Sequence, residues 1–114
     1  MCLINKIISL NVRGLGESIK RNYVRDLIRK EQAKIVCLQK MKYFVFSKDS
    51  VFLFWGSNDI DWFVNGASNS VDGLITICRK SYFQMSSFFN GRIFSIIEGL
   101  WKVGNGVQVT IVNV

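Results

Sequence analysis

Residues 3–16 read LINKIISLNVRGLG, and residues 35–39 read IVCLQ. The first stretch is mostly apolar and β-branched as far as Val12 and then reaches two glycines, which predicts a strand over 3–12 that ends in a tight turn. The second stretch is continuously apolar, which is typical of an interior parallel strand covered on both faces. The two stretches therefore predict neighbouring strands of one sheet.

The segment between these strands repeats apolar residues at helical spacing. Its apolar positions are Ile19, Tyr23, Val24, Leu27 and Ile28. Cations fill the other face, and Ser18 is a candidate N-cap, so we expect an amphipathic helix. Strand, helix and strand form a βαβ unit, whose right-handed crossover brings the carboxyl ends of both strands to the same edge of the sheet. The loops after Val12 and Leu38 should therefore face one site.

The remainder of the chain is predicted to be mostly β-structure. Short strands are expected at 51–55 and 62–65, followed by strands at 74–78, 92–102 and 107–114, the last two joined by a hairpin turn at 104–106. In the final strand, Val107, Val109, Ile111 and Asn113 should share one face. No capping segment follows that strand, so we expect its outer edge to lack a neighbour.

Composition and charge indicate a folded, basic domain. The chain has 114 residues with 49% hydrophobic content, which suffices for one core. Lys and Arg number 15 against 8 Asp and Glu, for a net charge of +7. This charge favours polyanionic partners such as nucleic acid, through an attraction that salt weakens. A solvated basic surface on an ordinary protein is the alternative, and charge alone does not choose between them.

Cysteine usage and hydropathy exclude several protein classes. Cys2, Cys37 and Cys78 are widely spaced and unaccompanied by histidine, so they form no zinc pattern. We expect Cys37 and Cys78 to be buried core residues in a reducing compartment. The sequence shows no secretion signal and no uncharged apolar stretch of the roughly 18 to 20 residues that would span a bilayer, which predicts a soluble, intracellular chain.

The glycine pair at residues 14 and 16 does not complete a dinucleotide-binding fingerprint. The third glycine would fall at Ile19, and Gln39 and Lys40 occupy the place of the acidic residue that should close the second strand. No Walker A pattern is present in the sequence, and without histidine the common general bases and triads are unavailable.

Residues 8–16 (ISLNVRGLG), the basic helix and residues 35–42 (IVCLQKMK) together resemble the opening of the endonuclease/exonuclease/phosphatase superfamily. In particular they resemble the apurinic-type endonuclease domain of plant non-LTR (LINE) retrotransposons, in which Trp-Asn-Val-Arg-Gly-Leu-Gly precedes a helix and a strand ending in Leu-Gln-Glu-Thr-Lys. Further matches follow in the family's order at 55–56, 70–74, 91–92 and 109–114. The resemblance implies an α/β fold, the N-terminal half of a four-layer, DNase I-like sandwich, with residues 1–114 as a truncated domain of this type.

Carried over residue by residue, the resemblance names three features of a site. Asn11 matches the asparagine that helps to place the phosphate and the metal-bound groups; without the flanking match it would be interpreted as a surface turn residue. Lys40 stands where the family has a Mg²⁺-ligating glutamate, and an ammonium has no lone pair and repels the ion. We therefore expect no metal site and no cofactor, although the family uses Mg²⁺. Asp72 stands where the family has a glycine, and the sequence does not indicate what this change does.

In the family, the catalytic tyrosine, an Asp-x-Asn pair and a terminal Asp-His pair follow the position of Val114. The resemblance therefore implies that the base and most metal ligands lie outside these residues. We expect a remnant of a Mg-dependent DNA endonuclease without activity. The alternatives are a basic nucleic-acid-binding module that contacts phosphates through Arg13, Lys40 and Lys42, and a live nuclease whose C-terminal half was lost to a wrong gene boundary.

The expected partners follow from the same features of the chain. DNA is expected to bind the basic surface, no membrane is expected, and the exposed sheet edge could support self-association. A nuclear location follows from the resemblance only.

Overall fold

A computed structural model of the chain describes residues 6–12, 18–41, 51–52, 55–66, 73–92, 94–102 and 106–114. Its elements, in chain order, are β1 (Ile7–Asn11), α1 (Ser18–Glu31), β2 (Ile35–Gln39), β3 (Ile60–Asn65), β4 (Leu74–Arg79), β5 (Phe83–Asn90), β6 (Ser95–Trp101) and β7 (Gln108–Asn113). They form two sheets, which we name sheet A, with strand order β1-β2-β4-β3, and sheet B, with order β5-β6-β7.

The βαβ unit predicted from the sequence is confirmed. Strands β1 and β2 run parallel in a register that pairs Ile7 with Ile35 and Asn11 with Gln39. The backbone N–H of Val12 donates to the carbonyl of Gln39 at 3.1 Å, so the carboxyl ends of both strands meet at one edge of sheet A. The first four residues of β2 are buried, as expected for an interior strand covered on both faces.

The two faces of sheet A take part in two apolar clusters. The outer face packs against α1 through buried residues that include Val24, Ile28, Val36, Leu38, Ile75 and Ile77. The inner face packs against sheet B through Ile35, Cys37, Cys78, Phe83, Ile97, Trp101 and Ile111. Helix, sheet A and sheet B are thus three layers of an α/β sandwich, in agreement with the expected fold class. Among the described residues, no helix has the length and apolarity needed to cross a membrane.

The prediction of a strand at 51–55 is wrong. Val51, Phe52 and Trp55 are helical, and the N–H of Gly56 donates to the carbonyl of Phe52 as in a helical turn. Val51 and Trp55 are four residues apart, so one helical face buries both of them against the outer face of sheet A. A short apolar run has no periodicity that separates a buried helical turn from a strand.

Strand β5 was missing from the sequence prediction. Its register against β6 shifts between Met85 and Ser87, which marks a β-bulge or irregularity that interrupts the alternation of apolar and polar residues. It is also an edge strand of sheet B, with most of its residues exposed. Without alternation or a buried apolar run, residues 83–90 offer little of the usual strand signal.

The other expected strands are confirmed with adjusted ends. The strand expected at 62–65 begins at Ile60, and that expected at 74–78 extends to Arg79, whereas β6 is shorter than the expected 92–102. In β7 Val109, Ile111 and Asn113 point inward as predicted, and the residues between them are exposed. Val107, expected on the same face, precedes the strand and is 58% exposed. Residues 3–5 and 104–105 of the expected first strand and hairpin turn lie outside the described residues.

Gly99 of β6 allows the ring of Phe83, on the neighbouring strand β5, to pack directly against the β6 backbone. A Cβ at this position would fall 2.3 Å from the carbonyl oxygen of Gln84 and 2.5 Å from the ring of Phe83. The space is instead filled by Phe83, whose ring meets that of Trp101 edge-on with centroids 5.6 Å apart. A glycine is therefore required for close packing here, and not for a special backbone conformation.

The two described cysteines are buried free thiols, as expected. Burial raises the pKa of Cys37 to about 11 and that of Cys78 to about 12, from an ordinary value of 9.0. Because both pKa values are higher in the folded chain, their contribution to stability is complete below the unfolded pKa and is lost as pH rises through the folded pKa. We expect the free energy of unfolding to fall between about pH 9 and about pH 12 in urea titrations. A Cys37→Val, Cys78→Val double variant should show a smaller fall, and an unchanged fall would contradict the prediction.

Candidate functional site

The candidate site lies at the edge of sheet A where β1 and β2 end. Asn11 is the last residue of β1, is exposed, and pairs in register with Gln39, the last residue of β2. Lys40 follows directly and is also exposed. The structure thus brings Asn11 and Lys40 to one edge, while Arg13, Lys42 and Asp72 lie outside the described residues.

Asn11 belongs to the face of β1 that is turned towards sheet B. Ile8 and Leu10 pack with the helix-side cluster, so by alternation Ile7, Ser9 and Asn11 lie on the opposite face. The side-chain hydrogen bond from Gln39 to Ser9, at 3.0 Å, agrees with this placement. Asn11 therefore stands at the mouth of the space between the two sheets.

A network of polar side chains ties the two sheets together just behind this edge. The amide nitrogen of Gln39 donates to Ser9 and, at 2.8 Å, to the side-chain oxygen of Asn113 on β7. The amide nitrogen of Asn113 in turn donates to the carbonyl of Ile75 and to the hydroxyl of Thr76 on β4, both at 3.1 Å. Asn113 is 1% exposed, so these bonds replace the water that its amide has lost. The network fixes the residue that immediately precedes Lys40.

Neither Gln39 nor Asn113 was identified as a site residue from the sequence. A signal was present, because Asn113 falls on the inward face of a strand whose other inward residues are apolar. A polar group on such a face needs a buried partner. The sequence does not reveal that this partner is Gln39, 74 residues away.

Lys40 adopts a left-handed backbone conformation, with φ of 57°. Such a conformation is uncommon for residues other than glycine, asparagine and aspartate, and it persists where the surrounding structure imposes it. On one side, Gln39 is bonded to the backbone of Val12. On the other, Met41 is buried and its N–H donates to the carbonyl of Gly73 at 3.0 Å. The chain therefore turns sharply out of β2 and leaves the Lys40 side chain exposed.

A groove of about 320 Å³ lies between the end of β1 and the first turns of α1. Its walls are mostly apolar, from Leu10, Val12 and Tyr23, and Lys20 lines it from α1. Asn11 borders the groove at the end of β1. Because α1 begins at this edge, its Lys20 lies near the candidate site. The cations of its last turn, Arg29 and Lys30, lie at the other end of the helix.

Several other cations take part in contacts that stabilise the fold. Lys6 pairs with Glu31 at 2.6 Å, and this hydrogen bond lowers the pKa of the Glu31 carboxyl. Lys34 lies 4.1 Å above the centre of the Tyr82 ring. Arg79 donates to the carbonyl of Ala33 at 3.0 Å. In the part of the chain that the structure describes, Lys40 has no such partner.

The side chain of Lys40 is not a ligand for Mg²⁺. Mg²⁺ prefers carboxylate and carbonyl oxygen ligands, and Lys40 offers a positive charge and no lone pair. The described residues contain no group of three histidine, cysteine or acidic side chains that could hold a metal ion. The exposed ammonium of Lys40 and the amide of Asn11 can bind an anion such as a phosphate, and neither of these two described side chains is a general base for water.

Comparison with known proteins identifies the fold. No protein family model matches the sequence, and no curated protein is significantly similar to it. Eighteen solved chains match in structure. One of them, humanized D. rerio TDP2 carrying 14 mutations, is 14% identical with a TM-score of 0.62 over 93% of this chain. This likeness shows a DNase I-like α/β fold. The chain spans about half of that structure, 47% of its length.

Proposed function

We propose that this chain derives from a Mg-dependent DNA endonuclease domain of the type found in LINE retrotransposons, and that its present sequence does not hydrolyse phosphodiester bonds. Residues 1–114 would then form part of one such domain. The DNase I-like fold and the sequence resemblance around Asn11 and Gln39 support this origin. The observation that carries the loss of activity is Lys40, exposed at the strand edge where the resemblance places a metal-ligating glutamate.

Two chemical deficits oppose hydrolysis by these residues. An ammonium at position 40 repels a divalent cation, so the Lewis acid that the family uses has no binding site there. The 114 residues also contain no histidine, which the resemblance implies as the general base. Restoring a carboxylate at position 40 would correct only the first deficit.

A second candidate function is nucleic-acid binding without catalysis. It is favoured by the exposed Lys40 ammonium at the same edge as Asn11, with Lys20 in the adjoining groove. Arg13 and Lys42 are close to these residues in sequence, and the net charge of +7 attracts polyanions over a longer range. In this function Asn11 would donate its amide N–H to a phosphate oxygen, and the lysines would supply charge.

A live nuclease would need the remaining motifs of the family from further sequence. Reading the genomic DNA beyond the Val114 codon tests this alternative directly. An open reading frame that continues into Tyr-Ala-Pro, Asp-x-Asn and Asp-His would favour the live enzyme over the inactive relative. A nuclear location is part of the proposal and follows from the resemblance alone.

Lys40→Glu is expected to weaken binding to a fluorescent 20-base-pair DNA by about tenfold in 50 mM salt, because it replaces a phosphate contact with a like-charge repulsion. Fluorescence anisotropy measures the affinity. The matched control is Lys102→Glu, which changes the net charge by the same amount. Lys102 follows the end of β6 that lies farther from Asn113 and therefore from the candidate site. Equal losses of affinity in the two variants would show that Lys40 has no special role.

A further inference from the structure

Gln39 ends strand β2, where the backbone ladder of sheet A becomes incomplete. On the β1 side, its carbonyl accepts from the N–H of Val12 at 3.1 Å. On the β4 side, the register of the described strands ends one residue earlier, where Leu38 pairs with Ile75. Strand ends open more readily than strand centres unless further contacts hold them. The position of Gln39 therefore depends on contacts beyond the ladder.

The side chain of Gln39 supplies those contacts. Its amide nitrogen donates to the hydroxyl of Ser9 at 3.0 Å, to the carbonyl of Cys37 at 3.3 Å and to the side-chain oxygen of Asn113 at 2.8 Å. The shortest of these bonds leads out of sheet A to β7 of sheet B. Asn113 is itself held in place, because its own amide nitrogen donates to Thr76 on β4. The end of β2 is therefore anchored to both sheets through one side chain.

The conformation of Lys40 is determined by the peptide groups on either side of its Cα. The group before it contains the carbonyl of Gln39, and the group after it contains the N–H of Met41, which donates to the carbonyl of Gly73 at 3.0 Å. With both groups held, the backbone is kept at a φ of 57°, where a lysine is less stable than in the right-handed region. Release of the Gln39 end would let Lys40 leave this conformation, and its side chain would then point in another direction.

We propose that Gln39, held by Asn113, is a positioning residue for the phosphate contact of Lys40. This inference rests on the proposed nucleic-acid-binding function. A side chain that is already held in its binding direction loses less freedom when it meets a phosphate, so positioning raises affinity without adding a contact. Asn113 is 1% exposed, so it acts on the ligand only through Gln39. A residue of sheet B thus controls a binding group on sheet A.

Two other roles for Gln39 give different expectations. A direct contact between Gln39 and a phosphate predicts that Asn113→Leu leaves DNA affinity unchanged, because the buried Asn113 does not reach the ligand. A purely structural role, in which Gln39 only joins the two sheets, predicts that its replacement lowers stability and leaves the affinity of the folded chain unchanged. Positioning alone predicts that both residues change affinity and that both effects require Lys40.

Fluorescence anisotropy with the 20-base-pair DNA tests this inference, with circular dichroism to confirm that each variant is folded. Gln39→Met keeps the size of the side chain and removes its donor, and we expect it to weaken binding about threefold. Asn113→Leu should weaken binding by a similar factor, and the double variant by no more than the larger single loss. Thr110→Val, on the exposed face of the same strand as Asn113, is the matched control and should bind within about 1.5-fold of the unchanged chain.

The same titrations in a Lys40→Ala background separate positioning from the other roles. Gln39→Met should have no further effect there, because the contact that it orients is absent. If Gln39→Met weakens binding equally with and without Lys40, or in neither background, the inference is overturned and the proposed binding function remains. If Lys40→Ala itself does not weaken binding, the proposed binding function fails and the inference fails with it.

A second measurement needs no DNA and does not use Asn113→Leu, which is expected to lose stability. Backbone chemical shifts and coupling constants from NMR of the isotope-labelled chain report the φ angle of residue 40. We expect a positive φ in the unchanged chain and its loss in Gln39→Met. A positive φ that persists in Gln39→Met would overturn the inference, even if the affinity for DNA falls.

Discussion

Replacing Asn113 with leucine is expected to lower the free energy of unfolding by about 2 to 4 kcal/mol, because it removes three hydrogen bonds of a buried network. The leucine has a similar size, so the packing between the sheets changes little. The hydroxyl of Thr76 and the carbonyl of Ile75 would each lose a donor, and the amide of Gln39 would lose an acceptor. The Gln39 amide keeps its bonds to Ser9 and to the carbonyl of Cys37, so the cost falls mainly on the hydroxyl of Thr76 and the carbonyl of Ile75, at about 1–3 kcal/mol for a group left unsatisfied.

Urea titration followed by tryptophan fluorescence measures this loss. Thr110→Val is the matched control on the exposed face of the same strand, and its effect should stay within about 0.5 kcal/mol. In the double variant Gln39→Leu, Asn113→Leu both ends of one buried bond are removed, so the combined loss should be smaller than the sum of the single losses. A loss below about 1 kcal/mol for Asn113→Leu would show that the network does not join the sheets.

Raising the salt concentration from 50 to 200 mM is expected to weaken DNA binding by about 100-fold. The estimate assumes about four phosphate contacts, from Arg13, Lys20, Lys40 and Lys42, each of which releases a condensed counterion and adds about 0.9 to the slope of log affinity against log salt. Lys6 is left out of this number because its pairing with Glu31 partly compensates its charge.

Anisotropy titrations at several salt concentrations give the slope. Lys40→Glu should reduce its magnitude by about one contact, whereas Lys102→Glu should leave it unchanged. A change of less than tenfold across the range would contradict binding through a cluster of phosphate contacts. It would favour the alternative of an ordinary protein with a solvated basic surface.

The sequence predicted the parts of the fold in which local pattern and tertiary environment agree. The continuous apolar run of β2 and the helical spacing in α1 each have one stable solution, and both are found where expected. The hydrophobic pattern gave a wrong prediction where a short apolar run was compatible with both a strand and a helical turn, as at Val51 and Trp55. It gave no signal for β5, whose alternation is interrupted between Met85 and Ser87.

The sequence predicted the features of the candidate site that depend on local pattern. It did not predict those that depend on contacts between distant parts of the chain. Asn11 and Lys40 lie at one edge because parallel strands joined by one helix end at the same edge, which the sequence pattern determines. The bond between Gln39 and Asn113 depends instead on how sheet B packs over sheet A, and no local pattern encodes that packing. The left-handed conformation of Lys40 is likewise imposed by its neighbours, because lysine has no preference for it.

The central claim is that a DNase I-like fold with an ammonium at the metal-ligand position does not cut DNA, and a plasmid-nicking assay tests it most directly. Purified 114-residue chain is incubated with supercoiled plasmid and Mg²⁺, with and without EDTA, beside the Lys40→Glu and Asn11→Ala variants. The account predicts no nicking above buffer by the chain or by either variant, since Lys40→Glu still lacks a general base. Nicking that requires Mg²⁺, is quenched by EDTA and is lost in Asn11→Ala would contradict it.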